Sequence, residues 1–234
     1  MSQFKDKVVL VTGAAGSLGK AVVAAFAEQD AKVLLLDIND DVLKNAFPQS
    51  SAANRLGVNL MDPAAVMAAV NKSTTGAGRI DVLVNVAGGF RMGPSVHETP
   101  ADMWDLMLNL NATSVVNVAR AVVPKMLAQG GGKIVSVAAG AGVRGQPNMG
   151  AYSASKSMVL RLTESMASEL REKNINVNCV MPSIIDTPFN RAEMPNADFS
   201  KWVAPEALAD IIVFLSSDAS RAIHGAAVPA TGLS

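Results

Sequence analysis

Tyr152 and Lys156 stand four residues apart in the stretch "YSASK". On a helix that spacing puts a phenol and an ammonium on one face. A phenol with its ordinary pKa near ~10 is a poor proton donor or acceptor at neutral pH. A cation beside it favours the phenolate and brings proton transfer within reach. Tyr152 is also the only tyrosine in the chain. The plain alternative is a surface tyrosine followed by an incidental lysine, and a second cluster argues against it.

That cluster is "TGAAGSLG", residues 12–19. Gly13, Gly16 and Gly19 allow a tight turn where an apolar run meets a helix, and the first N–H groups of the helix can then face a phosphate. The spacing departs from G-x-G-x-x-G, and a glycine turn alone is also an ordinary strand–helix connection. Asp37 adds weight. It falls at the end of the second apolar run, where a carboxylate can accept hydrogen bonds from both ribose hydroxyls of NAD and would repel the 2′-phosphate of NADP. No arginine or lysine follows it immediately. Together these features predict a dinucleotide site that prefers NAD(H) to NADP(H).

Apolar runs and helical periodicities alternate around these clusters, and they are the elements that must position them. "KVVLVTG" (7–13) reads as a buried strand and 17–30 as a helix with Leu18, Val22, Ala25 and Phe26 on one face. Further strands are predicted at 31–40, ending in Asp37, and at 54–60, 79–89, 132–140, 175–183 and 225–232. Helices are predicted at 62–74, capped by Asp62 with Pro63 first, and at 100–128, 152–173 and 205–217. Pro124 should kink or end the 100–128 helix. The alternation predicts an α/β Rossmann fold: a doubly wound parallel sheet of about seven strands with helices on both faces. No linker divides the pattern, so one NAD(P)-binding domain over 1–234 is expected. The least regular segment, 183–203, is a candidate substrate lid beyond the carboxyl ends of the strands.

At this point the chain resembles the short-chain dehydrogenase/reductases over nearly its full length. Thr12-Gly13-x-x-x-Ser17-x-Gly19 is similar to the family's cofactor turn, with Ser17 in place of the central glycine. Asn85-Val86-Ala87-Gly88 is similar to the segment that supports the sheet beside the adenosine. Asn59 stands where the family usually has an adenine-binding aspartate. Asn109 matches the helix asparagine, and Tyr152 and Lys156 match the catalytic pair. Pro182 and Thr187 match the Pro-Gly-x-x-x-Thr that contacts the nicotinamide amide, with Ser183 in place of glycine. The resemblance implies a catalytic set of Tyr152, Lys156 and Asn109. It places the cofactor against Gly13, Ala15, Ser17, Leu18 and Gly19, then Asp37, Asn59 and Leu60, then Val86, Ala87 and Gly88. Tyr152, Lys156, Pro182, Ile185 and Thr187 complete that set, and Lys156 would also hold the nicotinamide ribose.

Most of the family has a serine thirteen residues before the tyrosine, where this chain has Ala139. That hydroxyl helps polarise a carbonyl, so three accounts compete. Either the protein has lost its activity and kept its NAD site, or the alanine has been introduced, or the substrate needs no second donor. Quinonoid dihydropteridine reductases are similar in "VAGGF" (86–90), in an alanine before GxxGxPxMGxYxxxK, and in residues 186–202. They carry an acidic residue after the second strand, prefer NADH and reduce a planar conjugated ring. They have tryptophan where this chain has Phe90, and they lack the helix asparagine. The expected substrate contacts are Phe90, Ala139 and Tyr152, with Phe90 either stacking on a flat substrate or simply packing. The expected function is NADH-dependent reduction of a small planar conjugated substrate. Its alternatives are an alcohol dehydrogenase or carbonyl reductase, and a catalytically silent NAD-binding protein.

Composition narrows the partners. Of 234 residues, 50% are hydrophobic and 17% charged, which suits one well-covered core. Twenty basic and 20 acidic residues cancel, with no basic stripe, so no nucleic-acid partner is expected. No secretory leader or membrane-crossing stretch stands out, and a cytoplasmic location with no membrane partner is expected. Cys179 reads as a buried thiol. His97 and His224 lack metal-ligand spacing and read as solvated or capping, and no metal is expected. Trp104 and Met107 read as packing within the long helix. The 100–128 and 152–173 helices carry more apolar residues than one sheet face needs, so a homodimer or homotetramer through a four-helix interface is expected.

Overall fold

The computed structural model describes residues 2–234, and the side chains of all of these except 76 and 77. Seven strands form one sheet: β1 (Val8–Thr12), β2 (Lys32–Asp37), β3 (Arg55–Gly57), β4 (Val82–Asn85), β5 (Gly132–Val137), β6 (Ile175–Pro182) and β7 (Ala227–Ala230). Their order is β3-β2-β1-β4-β5-β6-β7, and every pairing is parallel. The helices are α1 (Ser17–Ala27), α2 (Asp40–Ala46), α3 (Pro63–Ala77), α4 (Ala101–Leu108), α5 (Ser114–Ala128), α6 (Gly150–Leu170), α7 (Pro188–Glu193) and α8 (Pro205–Leu215).

The continuous apolar strands are buried on both faces because helices cover both. Val9, Val11, Leu35, Val84 and Val180 meet Val22, Phe26, Leu208 and Ile212 of α1 and α8. The alternate positions Leu10, Leu34, Leu83, Ile134 and Val177 meet Val66, Val118, Val122 and Ala167 of α3, α5 and α6. The chain leaves β1 outward to β3 and returns to β4 on the other side of β1. The strand order therefore reverses between β1 and β4, and a crevice opens at their carboxyl ends.

Four local features differ from expectation. The second strand ends at Asp37 as expected, but a helix that the sequence pattern did not announce, α2, follows at once, capped by Asn39, which accepts from the Val42 N–H. The 100–128 helix is continuous but contains a π-turn at Asn109–Thr113. It also passes through Pro124; the carbonyl that Pro124 leaves without a helical partner belongs to exposed Arg120, where water can take it. By length and mean hydropathy this helix could cross a membrane, yet 56% of its most apolar window is buried inside the fold.

The segment 183–203 is the fourth, and it is more ordered than its composition suggests. The Asp186 N–H donates to the Val203 carbonyl at 2.8 Å, and the Val203 N–H to the Ile184 carbonyl at 2.9 Å. The two ends of the segment are thus zipped together. Between them Thr187 caps α7, Arg191 grips Asp186 through two hydrogen bonds, and the Arg191 guanidinium lies 4.8 Å from the centre of the Phe199 ring.

At the opposite, amino edge of the sheet, buried Asp81 accepts the Val8 N–H at 2.9 Å and is gripped by Arg79 at 2.6 Å. This ties the start of β1 to the start of β4. Asp81→Ala would leave the Val8 N–H without a partner and should lower stability by about 2–3 kcal/mol. Urea unfolding should show a lower midpoint at unchanged slope; an unmoved midpoint would refute this role.

Candidate active site

The turn after β1 is built on a contact that only glycine permits. Gly13 has φ +63°, and a Cβ there would lie 2.8 Å from the Ala87 backbone. The Ala87 N–H donates to Thr12 Oγ1 at 3.1 Å, so the loops after β1 and β4 are pressed together. The first hydrogen bond of α1 runs from Lys20 N–H to the Gly16 carbonyl at 2.9 Å. The N–H groups of Ser17, Leu18 and Gly19 precede it and remain for an anion. Asp37 closes the far side of the turn. Its Oδ2 accepts from Ala15 N–H at 2.9 Å and its Oδ1 from Ile38 N–H at 2.8 Å, which leaves a free lone pair on each oxygen.

Other expected cofactor residues fall around the same crevice. Leu18 and Leu60 have buried side chains, so they can offer only backbone. The Leu60 carbonyl already accepts from buried Asn117 at 2.8 Å. Asn59 is exposed and binds the Met61 N–H. Val86, Ala87 and Gly88 run past the carboxyl end of β4, behind which Asn85 donates to Ser136 Oγ on β5 at 3.1 Å. Pro182 ends β6. Ile185 bridges to Val203 and accepts from Asn190, and the Thr187 hydroxyl caps α7 by accepting the Asn190 N–H at 3.1 Å.

Tyr152 and Lys156 both lie in the first half of α6, but the lysine does not turn towards the phenol. Buried Lys156 Nζ donates to the Val137 carbonyl, the last of β5, at 2.8 Å. Gly88 comes so near that a Cβ on it would sit 3.2 Å from Nζ. Burial pushes the Lys156 ammonium down to about 8 and the Tyr152 phenol up to about 12. In this state desolvation sets the direction at the phenol, and the ammonium is held by a backbone carbonyl. The Phe90 ring meets Tyr152 edge to face, centroids 4.9 Å apart at 88°. Ala139, with its neighbour Ala138, lines the end of β5 as a buried methyl.

Asn109 is corrected. It is exposed, and its Oδ1 accepts from the Thr113 hydroxyl on the outside of the helix. The asparagine that reaches the site is Asn111. It is 1% exposed. Its Oδ1 accepts the Gly89 N–H at 3.0 Å, and its Nδ2 donates to the Gly89 carbonyl at 3.0 Å and to Ser155 Oγ at 3.1 Å. Ser155, also missed, passes the connection on to the Tyr152 carbonyl at 2.7 Å. A signal was present: Met107, Asn111, Val115, Val118 and Val122 form one buried stripe, and Asn109 lies off it. His97 is exposed. His224 is half-buried, and its Nε2 faces the Asn176 side chain at 3.2 Å. Among the described residues no group of His, Cys, Asp and Glu could hold a metal.

The short chain dehydrogenase family profile matches residues 7–198. The chain belongs to the short-chain dehydrogenases. It is 36% identical to 3-oxoacyl-[acyl-carrier-protein] reductase FabG of Thermotoga maritima, over 98% of each chain. It is 31% identical to the 2-dehydro-3-deoxy-L-rhamnonate dehydrogenase (NAD(+)) of a Sphingomonas species, over 92% of this chain and 90% of that one. A crystal structure of NAD+-bound xylitol dehydrogenase superposes with TM-score 0.88 at 29% identity, covering 98% and 99% of the two chains. Carveol dehydrogenase from Mycobacterium avium in complex with NAD gives 0.88 at 25% identity, covering 99% and 98%.

This short-chain dehydrogenase is thus an oxidoreductase on a nicotinamide-binding Rossmann fold. Its own residues fit a dinucleotide: a glycine cradle that a Cβ would fill, free helix N–H groups, and an aspartate with lone pairs to spare. In it the Asn111 side chain ties three segments together, which gives a test of the correction above. Asn111→Ala should cost about 2–3 kcal/mol, since it strands the Gly89 and Ser155 groups. Asn109→Ala should stay within about 0.5 kcal/mol of the unaltered protein. Denaturant midpoints in the reverse order would restore Asn109 to the site.

Proposed function

We propose that this short-chain dehydrogenase is an NADH-dependent reductase of a small planar conjugated substrate, with quinonoid dihydropteridine as the lead compound. The observation that carries this reading is the buried methyl of Ala139 just past the end of β5, the strand whose last carbonyl holds Lys156, one turn along α6 from Tyr152. A simple carbonyl concentrates charge on one oxygen and gains from a second donor. A conjugated ring spreads the added electron pair, so one proton donor suffices. Tyr152 is that donor. Its phenol carries its proton at neutral pH, the form that can give one during reduction, and burial in this state makes that proton harder to release. Lys156, anchored on Val137, orients the ribose end of the cofactor, and Asn111 holds the loop that carries Phe90. When bound, the dihydronicotinamide supplies the hydride. Asp37 at the end of β2 selects the unphosphorylated ribose. The remaining cofactor contacts follow the crevice from Gly13, Ala15, Ser17 and Gly19 to Thr187. The chain acts as one domain, with 183–203 as its lid.

A second reading is an alcohol dehydrogenase or carbonyl reductase. It is favoured by the retained asparagine at 111 and by the activities after which the relatives are named. A protein that binds NAD without turnover is the third. Leu106, Leu127 and Met158 are exposed on α4, α5 and α6, which supports pairing with further copies as a homodimer or homotetramer. A cytoplasmic site of action fits the single, buried cysteine.

NADH should bind at least about tenfold tighter than NADPH, because Asp37 faces the extra phosphate. Fluorescence titration with both cofactors checks this, and equal affinities would remove the role given to Asp37. Turnover decides among the three readings. Quinonoid dihydropterin should be reduced with NADH, and Ala139→Ser should change its kcat/KM by no more than a few-fold. A small ketone should gain from the new hydroxyl, which contributes about 2–4 kcal/mol to an oxyanion-like transition state. Tyr152→Phe should impair both. An inactive protein whose ketone reduction appears only with Ala139→Ser would establish the alanine as an inactivating change.

A further inference from the structure

Phe90 is held more firmly than an exposed loop side chain needs to be. The residue before it is gripped at both of its peptide groups, since Asn111 accepts the Gly89 N–H and donates to the Gly89 carbonyl. A Cβ on Gly89 would lie 2.7 Å from Leu110, so the strand-to-loop segment passes flush against the π-turn. Beyond Phe90, the Arg91 guanidinium folds back onto the Phe90 carbonyl at 3.0 Å. The ring that this backbone presents stands perpendicular to Tyr152, a favourable arrangement for two aromatic rings. Its other side is open, for Phe90 is 37% exposed.

The surroundings of Tyr152 leave this ring a clear task. The phenol is displaced by burial alone, with no neighbouring charge contributing. None of the charged and titratable groups on the packed elements shifts the phenol: Asp102 and Asp105 of α4 and Arg144 beyond Gly142 are exposed, and the others are engaged elsewhere or neutral. Lys156 of α6 is bound to Val137. Cys179 of β6, beside Lys156, is a thiol that burial pushes up to about 11. Arg91 sits on the Phe90 carbonyl, Asn111 is neutral, and the end of β5 offers only the methyls of Ala138 and Ala139. We propose that Phe90 is a positioning residue for Tyr152: clamped through Gly89 by Asn111, its ring fixes the orientation of the phenol and keeps water from one side of it. This rests on the reading of Tyr152 as the proton donor, and it gives Phe90 a role that does not require the substrate to stack there.

The test uses the fact that the chain has one tyrosine. Ultraviolet absorbance of the phenolate therefore reports Tyr152 alone, in the intact protein and with no substrate. The sign follows from desolvation: the buried phenol holds its proton to about 12, and hydrating it lets the proton leave at lower pH. Phe90→Ala should lower the midpoint by about one unit, and Phe90→Trp should keep it near the starting value. Far-ultraviolet circular dichroism checks that each variant stays folded over the titration. If alkali unfolds one first, 3-fluorotyrosine in place of Tyr152 brings ionisation to lower pH, and its single fluorine resonance reads the same difference. An unmoved midpoint in Phe90→Ala, or an equal drop in Phe90→Trp, overturns the proposal. Failure of pterin turnover would sink the proposed substrate and leave this titration as it stands.

Discussion

Asn111 sits inside a helix whose neighbours are apolar, and its amide can find partners only inward. Those partners belong to two other elements: Gly89, at the exit of β4, and Ser155, in the first half of α6. A single buried side chain thus fixes the distance between the loop that carries Phe90 and the helix that carries Tyr152 and Lys156. The π-turn at 109–113 makes the inward reach possible, because its wider coil rotates this residue without breaking the helix on either side. Loss of any of the three contacts would leave a buried polar group unpaired, so the arrangement tends to hold as a unit.

The nucleotide end is coupled to the same loop by a different device. Gly13 admits the backbone of Ala87, Thr12 binds its N–H, and the next residue, Gly88, passes close to Lys156. The short run 87–90 is therefore touched in turn by the glycine turn, the lysine, the asparagine and, at Phe90, the tyrosine. Lys156 is the costly member, a desolvated ammonium whose charged form is disfavoured by burial. Its bond to Val137 ties the helix to the end of β5, the strand next to the centre of the sheet.

Much of this was legible beforehand. The continuous apolar strands, the glycine turn, Asp37 and the Tyr152–Lys156 spacing each identify themselves by residue type and local pattern. What stayed hidden depended on geometry beyond a few residues. Asn109 and Asn111 are two positions apart, and only the register of the buried stripe separates them. The short helices α2 and α7 arise from the caps at Asn39 and Thr187 within runs that look irregular. The direction in which Lys156 points, and with it the state of the Tyr152 phenol, is decided by the Val137 carbonyl nineteen residues away in sequence.

The zipped ends of the segment 183–203 carry a consequence for how such a protein can diversify. Because Ile184 and Asp186 already pair with Val203, the chain leaves the sheet and comes back through one narrow neck. Whatever lies between is a closed excursion, and lengthening one costs only a slowly growing entropy of ring closure. Natural variation can therefore exchange this stretch wholesale while the strands beneath keep their register. The same neck makes it a convenient graft point for moving the stretch from one relative to another.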